Sequence, residues 1–117
     1  MEQKRKLIFF KNYFDDFYNS LSSKVKDKID YALFLVTVAN RIPSKFFEHV
    51  TGTDGLFELR IEYESNIYRI FCCFDEGNLV VLFNGFQKKS QKTPRAEIDK
   101  ALKIKEEYFK SKRNGKE

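Results

Sequence analysis

The sequence contains no tryptophan, a single histidine, two prolines and only two cysteines, which are adjacent. Each shortage removes a class of chemistry. His49 has no histidine or cysteine nearby to share a metal with, so no zinc site is expected. Cys72 and Cys73, if in a strand, point to opposite faces and cannot bridge each other. They read as small buried apolar residues in a reducing compartment. No run is apolar enough to span a membrane, and the four apolar residues Leu7 to Phe10 are too few for a secretion signal, so a cytoplasmic protein is expected. Glycine-rich phosphate loops and G-x-S-x-G elbows are missing as well. Neither cofactor nor metal is expected.

What the chain does have is phenylalanine: 13 Phe and 6 Tyr among 117 residues, ample for the core of one domain. Its charge is lopsided. Residues 87 to 117 carry 11 basic and 5 acidic side chains, a net of +6, whereas residues 1 to 86 carry 11 and 12, a net of −1. A positive C-terminal end suits a polyanion or an acidic protein, and equally a lysine-rich helix kept soluble by its charge.

The centre of the chain, Leu56 to Phe86, reads as an antiparallel meander of three strands. Phe57, Leu59, Ile61 and Tyr63 alternate with Glu58, Arg60, Glu62 and Glu64, which predicts one face on a core and the other in water. Ile67 to Phe74 is apolar except for Arg69, and Leu79 to Phe86 is apolar until Asn84, so both belong inside a sheet. Glu64-Ser65-Asn66 and Asp75-Glu76-Gly77-Asn78 supply the turns. Ahead of the meander, Lys6 to Phe10 reads as a strand. Phe14, Phe17, Tyr18 and Leu21 have helical spacing, with Asn12 as N-cap, and a second helix from Ser22-Ser23 places Val25, Ile29, Ala32, Leu33 and Val36 on one face. Residues 40 to 55 read as a loop. Thr93 as cap and Pro94 as first residue open a last helix carrying Ile98, Ala101, Leu102, Tyr108 and Phe109. The expected architecture is α+β, a helical hairpin packed on a small antiparallel sheet, in the order β-α-α-β-β-β-α.

Cations and amides cluster along the meander and just past it: Arg60, Arg69, Asn84, then Lys88, Lys89, Gln91 and Lys92. Side chains two strands apart lie about 10 Å from one another, from a strand spacing of roughly 4.8 Å. Such a group can frame RNA phosphates. When a ribose 2′-hydroxyl displaces the 5′-oxygen at the adjacent phosphorus, forked arginine hydrogen bonds stabilise the charge that gathers there. With no histidine available, a lysine whose pKa is lowered by burial or other cations would have to move the protons. Alternatives stand beside each assignment: Arg60 can pair with Glu58 or Glu62, Arg69 can belong to a buried structural ion pair, Asn84 can be a strand-end hydrogen-bonding residue, and the lysines can be solvated.

The segments GTDGLFELRI (52 to 61), NIYRIF (66 to 71) and NLVVLFNGFQKKSQKTPRAEI (78 to 98) resemble the small HigB-type toxins of the RelE/ParE toxin-antitoxin superfamily, in the phage-derived subgroup. The resemblance implies a RelE-like fold and a metal-independent, ribosome-dependent mRNA endonuclease, an mRNA interferase, with mRNA and ribosomal RNA as partners and a helix-turn-helix antitoxin of the HigA type. It implies that Arg60 and Arg69 lie in the active surface and matches Lys88, Lys89 and Lys92 to the basic run after the last strand; the expected roles are then catalytic for Arg60, Arg69, Lys88 and Lys89, and RNA contact for Lys92, Asn84, Gln91, Lys100 and Lys103. Asn84 stands where the family motif carries histidine. The ParE branch, which inhibits DNA gyrase without catalysis, and an inactive regulatory partner are the competing expectations.

Overall fold

The computed structural model describes residues 2–88 and 92–115. Its elements are β1 (Lys6–Phe9), α1 (Tyr13–Asn19), α2 (Ser23–Val38), β2 (Phe47–His49), β3 (Phe57–Tyr63), β4 (Asn66–Asp75), β5 (Leu79–Lys88) and α3 (Arg95–Arg113). The α+β order matches that expected from the sequence, with one short strand added. The loop from 40 to 55 holds β2, which pairs antiparallel with β3 through Glu48 opposite Glu58. Three residues are too few to carry a readable period.

The sheet order is β1-β5-β4-β3-β2. The three meander strands are antiparallel, but β1 runs parallel to β5, from Lys6 opposite Leu79 to Phe9 opposite Leu82, so the sheet is mixed rather than purely antiparallel. This places β5 inside the sheet and accounts for its double-sided apolar sequence: Val80, Val81, Leu82 and Phe83 are all buried. The turn between β3 and β4 takes two left-handed residues, Glu64 and Ser65, without glycine, and Gly77 supplies the positive φ of the next turn.

Each sheet face has its own core. The helical hairpin covers one, where Phe14, Val25, Ile29, Leu33 and Val36 meet Leu59, Ile61, Tyr68, Ile70, Cys72, Val80 and Leu82. The other is covered by α3, whose Ala101, Ile104 and Tyr108 meet Phe10, Val50, Leu56, Phe71, Cys73, Val81, Phe83 and Phe86. The cysteines therefore divide between the faces, both as free thiols. Burial pushes Cys72 far up and Cys73 to about 11, which leaves neither nucleophilic near neutral pH.

Two helix starts differ from the sequence reading. Ser22 caps α2 as its type suggests, accepting a hydrogen bond from the Val25 N–H at 3.4 Å, but the Asn12 side chain makes no capping bond to α1. At α3 the cap position is Pro94 rather than Thr93, again with no side-chain capping bond. The Thr93 hydroxyl is engaged elsewhere. No described helix is long and apolar enough to cross a membrane.

Candidate active site

The site lies on the sheet face shared with α3. Arg60 and Arg69 are direct cross-strand partners on β3 and β4. Like charges so placed repel, and each guanidinium has its own carboxylate: Arg60 pairs with Glu62, and Arg69 pairs with Glu58. The two environments differ sharply. The Arg60 side chain is 38% exposed, whereas the Arg69 and Glu58 side chains are each 8% exposed.

Glu58 is fully engaged. One carboxylate oxygen accepts from Arg69 Nη1 and the other from the Thr93 hydroxyl at 2.9 Å. The alternation along β3 suggests a wet face for Glu58, but it is buried, because Arg69 and the segment entering α3 close over it. The buried-pair alternative for Arg69 is thus realised in the geometry. Its Nε nevertheless has no hydrogen-bond partner among the described residues.

A bulge decides who faces whom. Between β4 and β5 the register slips, so that Cys72 opposes Leu82 whereas Ile70 opposes Gly85. Before the slip, the even-numbered Val80 and Leu82 face the helical hairpin. After it the parity reverses, and Phe86 joins the α3 face, stacking on Phe71 at 5.7 Å between ring centroids. Lys88 falls on that face too, two residues past Phe86 and opposite Ile67. It is the last residue of β5 rather than part of the following loop. Burial and then the Arg69 charge push its pKa down, Arg60 adds to the decrease, and Glu58 and Glu48 oppose it. The direction of the shift is the one a lysine base needs.

The remaining expected residues are scattered. Asn84 sits inside the bulge, 3% exposed, with neither amide atom hydrogen-bonded among the described residues, rather than at a strand end with a partner. Lys92 is exposed beside Thr93, and Lys89 and Gln91 lie outside the described residues. Lys100 and Lys103 line a separate groove of α3 with Tyr13, Asp99 and Glu107. His49 bonds to the Thr53 carbonyl at 2.9 Å. Among the described residues no cluster could hold a metal ion.

Sequence reasoning passed over Glu48, took Glu58 as a partner of Arg60 rather than of Arg69, and took Thr93 as a helix cap rather than a partner of Glu58. The available signal was Arg69 itself, since a cation in an apolar strand needs a carboxylate one strand away. Beside Arg60 and Arg69 a cleft of about 620 Å³ opens past the end of β2, walled by Phe46, Phe47 and Tyr31 among others. Two guanidiniums beside an open cleft, with a lysine of lowered pKa on the same sheet face, can bind a phosphodiester and shift a proton on it.

Residues 16–106 match the family of phage-derived Gp49-like proteins (DUF891). No curated protein matches the chain.

Proposed function

We propose a function for a chain that belongs to the phage-derived Gp49-like family, a family of RelE-like toxins of toxin-antitoxin systems: it is a metal-independent mRNA endonuclease that cuts messages on the ribosome. Membership brings a cognate antitoxin in general, and the HigA type with a helix-turn-helix domain is the proposed form. The observation that carries the reading is the grouping of Lys88, its pKa lowered, with Arg69 and Arg60 on one face.

The reaction runs within the RNA strand. Lys88, as the free amine, takes the proton of a ribose 2′-hydroxyl; the 2′-oxygen bonds to the adjacent phosphorus, and the bond from phosphorus to the 5′-oxygen breaks. Arg60 and Arg69 hold the non-bridging oxygens as negative charge builds on them. The departing 5′-oxygen takes a proton from a cation of the same basic run, for which Lys89 and Lys92 are the candidates. Gln91 is proposed as an RNA contact, and Lys100 and Lys103 as contacts to ribosomal phosphates; Asn84, buried in the bulge, does not reach the RNA.

Primer-extension mapping of a defined message in a reconstituted translation reaction tests this with the wild-type protein, Lys88→Gln and Arg60→Ala, with and without ribosomes. Cuts that need Lys88, Arg60 and ribosomes are expected. A folded protein that makes no cuts would overturn the nuclease reading, and a supercoiling assay would then test the gyrase-type inhibitor.

A further inference from the structure

We propose that the Glu58 carboxylate is an internal occupant of the phosphate site, held between Arg69 and Thr93 until an RNA phosphodiester displaces it. The inference rests on the reading of Arg69 as a phosphate ligand. Three observations support it. Both carboxylate oxygens of Glu58 are taken, one by Arg69 Nη1 and the other by the Thr93 hydroxyl. The Arg69 guanidinium, with Lys88 close enough to sense both Glu58 and Arg69, supplies the cations a phosphate would need, while Thr93 holds only the carboxylate in place. Arg69 also retains an Nε with no hydrogen-bond partner among the described residues, although it is 6% exposed. A pair built only for structure leaves few donors unused.

The same geometry ties the site to α3. Thr93 stands two residues before the helix, so the carboxylate that neutralises Arg69 also fastens the start of α3 to β3. A phosphate entering against Arg69 must break both contacts. Glu58 is therefore a positioning residue: it keeps a buried arginine folded and neutralised without substrate, and it lowers affinity for any anion by the free energy of the contacts it gives up.

Binding of a short RNA, made uncleavable by a 2′-deoxy substitution at the scissile ribose, distinguishes this role from a structural one. It is measured at a single salt concentration with inorganic phosphate as competitor. Glu58→Gln is expected to bind the RNA about tenfold more tightly, and Thr93→Val about threefold. Glu64→Gln, which removes an equal charge from the exposed β3–β4 turn, should shift binding less than twofold. In an Arg69→Gln background the gain from Glu58→Gln should vanish, and phosphate should compete more effectively against the Glu58→Gln complex. If Glu58→Gln and Thr93→Val leave affinity unchanged or weaken it while Arg69→Gln still weakens it, Glu58 is only a structural partner and the proposal falls, with the phosphate role of Arg69 intact. If Arg69→Gln changes nothing, the reading beneath it falls too. Should Glu58→Gln not fold, Thr93→Val decides alone, because it loosens the carboxylate without unpairing Arg69.

Discussion

A lysine that must lose its proton near neutral pH needs surroundings that penalise its charged form. Lys88 has burial and two arginines on its own face, and these outweigh the opposing Glu58 and Glu48. A lowered pKa also fixes the sign of a stability effect. Below the folded pKa the charged amine is a burden, and stability rises with pH from that value up to the unfolded one near 10.5, where the unfolded chain still holds the proton. Lys88→Gln should thus leave the thermal midpoint at neutral pH unchanged or higher while reducing cleavage by about a hundredfold or more, the usual share of a general base. Its cleavage rate should also lack the rise with pH expected of the wild type. Melting curves and a pH-rate profile check both, and a lower midpoint would mark Lys88 as structural. Arg69 is a poorer site for a clean substitution: removing it strands Glu58 in the interior, at a cost of about 3–5 kcal/mol.

Among the elements, β5 does most to organise the site. Its bulge turns Lys88 toward Arg69, and Gly85 just beyond lets α1 lie against the strand. A Cβ at Gly85 would come within 2.5 Å of the Phe17 ring. Gly85→Ala is accordingly expected to destabilise the protein by about 1–3 kcal/mol, as overpacking does, in a denaturant titration. At the far end, α3 is fastened through Asp75, which accepts from the Tyr108 hydroxyl at 2.6 Å and from Lys112 at 2.7 Å. Burial raises the Asp75 carboxyl, but the bonds from Lys112 and Tyr108 together outweigh it and hold the pKa below 3.8. The stabilisation is then complete above the unfolded value and is lost as the pH falls through the lower folded one. Asp75→Ala should cost about 1.5–3 kcal/mol near neutral pH, with a smaller difference from wild type at pH values well below 3.8, as chemical melts across that range would show.

For the whole molecule, the positive field belongs largely to α3 and the segment before it. Lys100 and Lys103 are exposed and line a groove away from the Arg60–Arg69 pair. Lys112 is instead engaged with Asp75 and Glu76, and Lys11 and Tyr13 hold Glu107. Some basic residues therefore serve the fold and others remain for a partner. Charge reversal at Lys100 and Lys103 together should weaken ribosome co-sedimentation and flatten its salt dependence, since each lost phosphate contact lowers the slope by about one unit. Its effect on thermal stability should be within about 0.5 kcal/mol, as for other surface changes. Unchanged sedimentation would remove α3 from the ribosome contact.

The sequence by itself determined every element except the three-residue β2, because periodicity, β-propensity and turn residues act over a few neighbours. The meander from Leu56 onward, the helical hairpin and the opposite facing of Cys72 and Cys73 all follow from such local rules, whereas the expected caps Asn12 and Thr93 make no capping bond. Glu58 shows their limit: alternation marked it as solvent-facing, yet burial depends on what arrives from elsewhere, in this case Arg69 and Thr93. The parallel docking of β1 and the parity reversal of β5 are likewise matters of pairing between distant segments. Only the tertiary structure could decide that Lys88 faces Arg69, because a one-residue slip in a strand of period two exchanges its faces.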